Sequence, residues 1–304
     1  MSAGAPTTAP RPQPGPARAW ILAIRPRTLP ASAAPVILGG SLAAAQGPWS
    51  WALAGTCLAV ALLLQIAANL ANDLLDARSG VDAHDRLGPV RVTQTGLLTS
   101  RQVTRGLVLC LGLATTAGLL AAWQVGWWLL ALGAACLVGA LAYTAGPWPL
   151  ARLGLGELAA LIFFGPVACT GTFAVLHGAP TPAAWLAGLV CGLHAAAIMA
   201  VNNLRDIASD TRAGKTTLAV RLGERRARQL AAGLLVAGNL VALPLALALE
   251  HRALWLALLL LPASLPLLRR LLTTPRSPAL NATLAATGQW EFVTAAVLAI
   301  LLHL

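Results

Sequence analysis

Charge is scarce in this chain, and it is scarce in blocks. Asp, Glu, Lys and Arg make up 10% of the 304 residues, against about 25% in an average soluble domain. None occurs from Thr28 to Asn72, from Gly106 to Ala151 or from Leu158 to Leu204, runs of 45, 46 and 47 residues. With 58% hydrophobic residues and a mean hydropathy of +0.74, these runs exclude a water-soluble globule. A membrane-spanning helix takes about 20 apolar residues, so each run holds two such helices and a tight turn. The runs are continuous rather than alternating over segments of about 10 residues, which excludes an outer-membrane barrel. Cys-x-x-Cys pairs are missing as well. Cys57, Cys110, Cys136, Cys169 and Cys191 lie inside apolar stretches and read as packing residues, with no disulfide framework and no zinc site. Residues 1–19, rich in Pro, Ala and Thr, lack the compact apolar core and cleavage site of a signal peptide. They are expected as a disordered tail ahead of one membrane domain over 20–304.

Turn chemistry divides the long runs at Gln46-Gly47-Pro48, Gln124-Val125-Gly126 and His177-Gly178-Ala179-Pro180. Three further spans, over 229–249, 253–268 with its flanks and 283–303, bring the count to nine. The expected fold class is all-α, a polytopic membrane protein. With nine spans, 20 of the 21 basic residues fall on one side and only Arg252 on the other. The positive-inside rule places the basic side in the cytoplasm. A net charge of +11 would suggest nucleic-acid binding in a soluble protein. Here the basic residues sit in short loops and report topology, so no nucleic-acid partner is expected. Trp49, Trp51, Trp123, Trp127, Trp128, Trp185 and Trp255 cluster near the opposite turns and read as an interfacial belt in the lipid bilayer.

All six aspartates lie in two short segments. The first runs from Asn69 through Asn72, Asp73, Asp76, Asp82 and Asp85 to Arg86; the second from Asn202 through Arg205, Asp206 and Asp210 to Lys215. Both start at the basic end of an even-numbered span. Asn69, Asn72, Asp73 and Asp76 are three or four residues apart and share a helical face, and Asp206 and Asp210 are one turn apart. Solvated helix ends would account for loop charges in general. They do not account for this concentration, given that an ionised side chain costs roughly 2.5–3.5 kcal/mol at the centre of a span. Carboxylate and amide oxygens at this density suit a hard cation such as Mg²⁺, which keeps waters and takes one or two carboxylates plus substrate phosphates. Arg86, Arg91, Arg205, Arg212 and the sole lysine, Lys215, supply donors for phosphate. Together they point to a metal–diphosphate site. Glu157 suits either a helix N-terminus or a substrate contact, His194 reads as a packed core histidine, and Glu224 as a solvated helix start.

At these segments the sequence resembles the UbiA superfamily of intramembrane prenyltransferases, through N-D-L-L-D-A-R-S-G-V-D (72–82) and D-I-A-S-D-T-R-A-G-K (206–215). Within the superfamily the likeness is to the branch whose acceptor is 1,4-dihydroxy-2-naphthoate, in menaquinone biosynthesis. It is carried by R-P-R-T-L-P-A-S-A-A-P-V-I-L-G (25–39), R-L-G-P-V-R-V-T-Q-T-G (86–96), Y-T-A-G-P (143–147), G-L-G-E-L (154–158) and N-N-L-R-D-I-A-S-D-T-R-A-G-K-T-T-L-A-V-R-L-G (202–223). The resemblance implies nine transmembrane helices around a central cavity, with Asn72, Asp73, Asp76, Asp206 and Asp210 holding Mg²⁺ on a polyprenyl diphosphate. It implies that Arg91 and Lys215 bind the diphosphate; Arg205 and Arg86, interspersed with the aspartates, are further candidates for diphosphate binding. The wider family often places its third aspartate where Gly80 stands here; Asp82 matches the naphthoate-type variant.

The implied reaction transfers the prenyl group to the naphthoate ring with loss of diphosphate and CO₂, giving demethylmenaquinol. Asp82 or Asp85 is the expected acceptor of the phenolic proton. Two alternatives stay open on sequence: another aromatic acceptor such as 4-hydroxybenzoate, and a secondary transporter, since buried ionisable groups also mark ion pathways.

Overall fold

The computed structural model describes residues 15–78, 87–88, 91–144, 150 and 152–304, leaving out the side chains of 76–78, 137 and 139–144. Among the described residues every regular element is helical. Helix α1 (Pro16–Ile24) begins with proline at its first position, where the missing N–H costs nothing. It turns Ala19 and Ala23 onto Leu70, Leu74 and Val103 and leaves Ile21 and Leu22 outward. Helix thus starts inside the stretch expected as a tail, of which residues 1–14 lie outside the described residues.

A 3-10 turn, Pro26–Thr28, leads into α2 (Leu29–Gln46), followed by α3 (Trp51–Arg78), α4 (Ser100–Val125) and α5 (Trp128–Thr144). The fifth rod is composite: α6 (Gly156–Ile162), a π-helical stretch Phe163–Thr170 and α7 (Gly171–His177). Pro166 sits inside the wide turn, which accommodates the donor that proline lacks. Then come α8 (Pro182–Arg212), α9 (Leu218–Leu240) and α10 (Ala242–Leu249). A 3-10 segment, Arg252–Leu259, precedes α11 (Leu260–Ala263), α12 (Leu265–Thr273) and α13 (Leu280–Leu301). Eight stretches among the described residues are long and apolar enough to cross a membrane. Helix α5, 17 residues long, is the ninth rod, where the sequence sets its fourth span. The helices break at Gly47, Gly126 and Gly178, within the three turns expected.

The centre of the bundle is built from α2, α8, α13 and the composite rod. Leu38, Leu42, Cys169, Phe173, Ala187, Cys191 and Leu298 pack there without exposure to solvent or lipid. Small residues let the backbones touch, as is usual where lipid-like surroundings remove the hydrophobic drive between helices. A β-carbon on Gly39 would lie 2.2 Å from the carbonyl oxygen of Cys169, and one on Gly188 would lie 2.4 Å from Thr170 Oγ1. Outward surfaces are apolar: Leu109, Leu120, Leu259 and Ile300 are all more than half exposed. Trp51, Trp123, Trp127, Trp185 and Trp255 also face outward at one end, as an aromatic belt requires.

Length decides where the polar chemistry sits. At 1.5 Å per residue, the 31 residues of α8 span about 46 Å, against about 30 Å of hydrocarbon. The excess length leaves room for its charged last turns, Arg205 to Arg212, to lie beyond the apolar layer, and the same holds for the end of α3.

Candidate active site

The described parts of both aspartate-rich segments fall at the end of the bundle opposite the exposed tryptophans of the belt. On α3, Asn69 Nδ2 donates to the Ile24 carbonyl (2.9 Å) and to Thr28 Oγ1 (3.0 Å), tying the helix to the α1–α2 link. Gln65, one turn earlier, donates to the same hydroxyl at 3.3 Å and accepts from Ser32 Oγ at 2.8 Å. Asp73 follows on that stripe and is 1% exposed. Its Oδ2 accepts from the Val92 N–H (2.9 Å), and its Oδ1 accepts from the Thr93 N–H (3.0 Å) and from the Thr93 hydroxyl. The carboxylate thereby caps a turn running from Arg91 to Gly96. Within it Thr95 N–H and Oγ1 both reach the Arg91 carbonyl (3.1 and 2.9 Å), and Gly96 adopts φ +72°, where a side chain would be strained. Val92, fully buried, pins the turn onto Leu70, Leu74 and Leu98.

The second segment is densely bonded. Arg205, 3% exposed, donates through Nε to Asp206 Oδ1 (2.8 Å) and through Nη2 to Asp206 Oδ2 (2.6 Å). Its Nη2 also reaches Asn202 Oδ1 (2.9 Å) and its Nη1 reaches Asn281 Oδ1 (3.0 Å) on α13. Asn281 in turn donates to the Leu87 carbonyl at 2.6 Å. One asparagine therefore joins the second aspartate segment to the chain that follows the first. Lys215 Nζ lies 3.4 Å from Asp210 Oδ1, and the Lys215 N–H closes on the Asp210 carbonyl at 2.9 Å across Gly214, at φ +66°. With 35% of its side chain exposed, Lys215 keeps donors available to an anion. Thr216 anchors the next residues to the Arg152 carbonyl through N–H (3.0 Å) and Oγ1 (2.9 Å).

Asn203 and Glu157 form a buried pair, Nδ2 to Oε1 at 3.0 Å, so Glu157 does more than favour a helix start. Among the described residues its Oε2 has no hydrogen-bond partner. His194 is a packed core residue as expected, with Nδ1 2.8 Å from the Val190 carbonyl and Nε2 3.1 Å from Asn239 Oδ1. Glu224, 45% exposed, pairs with Arg228 at 2.7 Å, and Arg228 Nη1 satisfies the Leu271 carbonyl at the end of α12. Asp82, Asp85 and Arg86 lie outside the described residues, as does the side chain of Asp76. Among the described residues no three of His, Cys, Asp or Glu converge. The donor set is nonetheless of the hard oxygen type: the amide of Asn72 and the carboxylates of Asp206 and Asp210 beside Lys215. Asn281 and Thr93 were not singled out by the sequence, and Asn202 entered only as the start of its segment. Their one signal is being polar where a span meets its loop.

Such an architecture defines a multi-pass membrane protein with a polar site, rich in both carboxylates and guanidinium groups, at one end of an apolar bundle. The chain belongs to the UbiA prenyltransferase family, whose profile matches residues 32–290. It is 41% identical over 256 residues to the 1,4-dihydroxy-2-naphthoate octaprenyltransferase of Escherichia coli, covering 82% of each protein. It is 42% identical over 232 residues to the enzyme of the same name from Mycobacterium tuberculosis, covering 75% of this chain and 78% of the other. Its fold is similar to that of a UbiA homolog from Archaeoglobus fulgidus solved bound to GPP and Mg²⁺. The TM-score is 0.65 at 17% identity, over 94% of this chain and all of that one.

Proposed function

We propose that this protein transfers a polyprenyl group from polyprenyl diphosphate to 1,4-dihydroxy-2-naphthoate, releasing diphosphate and CO₂ and giving demethylmenaquinol. The observation that carries the reading is the 41% identity to an octaprenyltransferase for that acceptor over 82% of the chain. The acceptor enters from the cytoplasm, the side that the basic loops mark.

Asn72, Asp76, Asp206 and Asp210 are the residues that would hold Mg²⁺. A cation held there would supply positive charge against that developing on the departing diphosphate. The carboxylate of Asp206 keeps lone pairs beyond those facing Arg205, since an ionised carboxylate offers about four acceptor sites. Lys215, free on one side of its Asp210 contact, donates to the diphosphate oxygens, and Arg91 supplies a second fixed positive charge. As the bond to the allylic carbon lengthens, that carbon gains cationic character and the electron-rich ring attacks it. The apolar helices exclude water, which would otherwise capture the cation. The prenyl chain remains among the lipid-facing helices.

The deciding experiment is a membrane assay with labelled prenyl diphosphate, offered dihydroxynaphthoate or 4-hydroxybenzoate, in Mg²⁺ or EDTA. The expected outcome is Mg²⁺-dependent product from the naphthoate alone. Product from 4-hydroxybenzoate would keep the reaction class and overturn the acceptor. No product from either would overturn the reading.

A further inference from the structure

We propose that Asp73 is a positioning residue for Arg91 and not a metal ligand: it clamps the turn that carries Arg91 and so fixes where that guanidinium meets the diphosphate. The nature of the anion rests on the function proposed above; the clamp itself rests on the geometry alone.

Helical spacing sorts the first aspartate segment into two stripes. Residues 69 and 73 are four apart, as are 72 and 76, and at 3.6 residues per turn the two pairs lie roughly 60° apart around α3. The structure engages the first stripe within the protein. Asn69 holds the α1–α2 link, and Asp73 accepts three hydrogen bonds from Val92 and Thr93. Both lone pairs of Oδ1 are thereby filled, and at 1% exposure the group is closed to solvent. A ligand to a metal that exchanges with water and substrate needs an open lone pair facing the site; a clamp needs what Asp73 has.

The clamped segment is held at both ends. Leu87 is tied through Asn281 to Arg205, while Val92 and Thr93 are tied to Asp73. Arg91 lies between those two ties and is itself 7% exposed. A turn whose backbone is already fixed has less freedom to lose when its arginine binds an anion, so the clamp favours affinity for diphosphate more than the chemical step. Bonds from backbone N–H groups to a buried carboxylate are also stronger than neutral ones, which suits an anchor.

The test compares Asp73→Asn, Thr93→Ala, Thr93→Ser, Arg91→Ala and the double variant Asp73→Asn/Arg91→Ala in detergent-purified full-length protein. Two quantities are read without acceptor: the dissociation constant for geranyl diphosphate in saturating Mg²⁺, and the Mg²⁺ midpoint for that binding. Asp73→Asn and Thr93→Ala should each weaken geranyl diphosphate binding about tenfold, the scale of one lost hydrogen bond to a charged group. Their Mg²⁺ midpoint should stay within about twofold of the parent at that scale. Thr93→Ser should restore binding, and Asp73→Asn should add nothing on the Arg91→Ala background. A Mg²⁺ midpoint raised tenfold by Asp73→Asn but not by Thr93→Ala would overturn the proposal and make Asp73 a ligand. Additive effects of Asp73 and Arg91 would overturn it too. If Asp73→Asn does not fold, the Thr93 pair with Arg91→Ala carries the same comparison. If the parent protein binds no geranyl diphosphate with any divalent cation, the functional reading fails, an outcome distinct from these.

Discussion

Arg205 grips Asp206, its own neighbour in sequence, through two parallel hydrogen bonds of 2.8 and 2.6 Å. Consecutive helical side chains diverge, so the contact forms only because the long arginine curls back, and Asn202 and Asn281 hold it there. Four of its five N–H bonds are committed inside the protein. The residue reads as the support of Asp206 more than as a diphosphate donor.

Removing that support should therefore damage the site as much as removing the carboxylate. Arg205→Ala strands Asp206 and two asparagines, and breaking a pair this buried costs about 3 kcal/mol or more. Arg205→Lys should not rescue it, because an ammonium cannot make the two-point contact. Prenyl transfer and thermal melting of each purified variant check this; a Lys variant with parental activity would contradict it.

Asp76→Ala and Asp206→Ala should each lower transfer by about 100-fold or more, the scale of losing one charge-stabilising group at a reacting centre. Insertion into membranes should be unaffected, since both lie at helix ends beyond the apolar layer. Protease protection of the loops would report insertion, and the labelled-diphosphate assay would report activity.

Lys215→Ala should raise the KM for prenyl diphosphate and leave the KM for the aromatic acceptor within about twofold, because its side chain, 35% exposed beside Asp210, is assigned above to the diphosphate. Steady-state kinetics with each substrate varied in turn will distinguish the two constants.

Gly39→Ala should destabilise the whole bundle by about 1–3 kcal/mol. The new β-carbon would stand 2.2 Å from the Cys169 carbonyl, and a backbone wall cannot turn aside as a side chain can. Gly55→Ala, with open space at the same position, is the control. Melting temperatures in one detergent make the comparison.

How far the sequence disclosed this can be followed residue by residue. Charge-free runs and their Gly-Pro turns located the rods, because a membrane forbids unpaired charge and unbonded backbone in its interior. Clustering of aspartates pointed to the end of the bundle where the candidate site is proposed. Periodicity could not say which member of Asn69, Asn72, Asp73 and Asp76 faces inward, since all four fall within one arc and the neighbours decide. Asn281 lay 76 residues from its partner Arg205, a contact no local pattern encodes. The widened turn around Pro166 and the helix opened by Pro16 were likewise invisible. The first depends on packing against α8, the second on Ala19 and Ala23 fitting a groove between α3 and α4.

The overhang of α8 has a kinetic consequence. On the proposed function, a single rod carries its charged tip toward water while its shaft stays immersed, so the two reactants would arrive from different phases. The isoprenoid donor diffuses in two dimensions, and its supply is set by its mole fraction in the surrounding lipid. The aromatic acid arrives from bulk water at its ordinary molar concentration. Diluting the donor with inert phospholipid at constant total amount should therefore slow turnover, whereas the same dilution should leave saturation by the acid untouched.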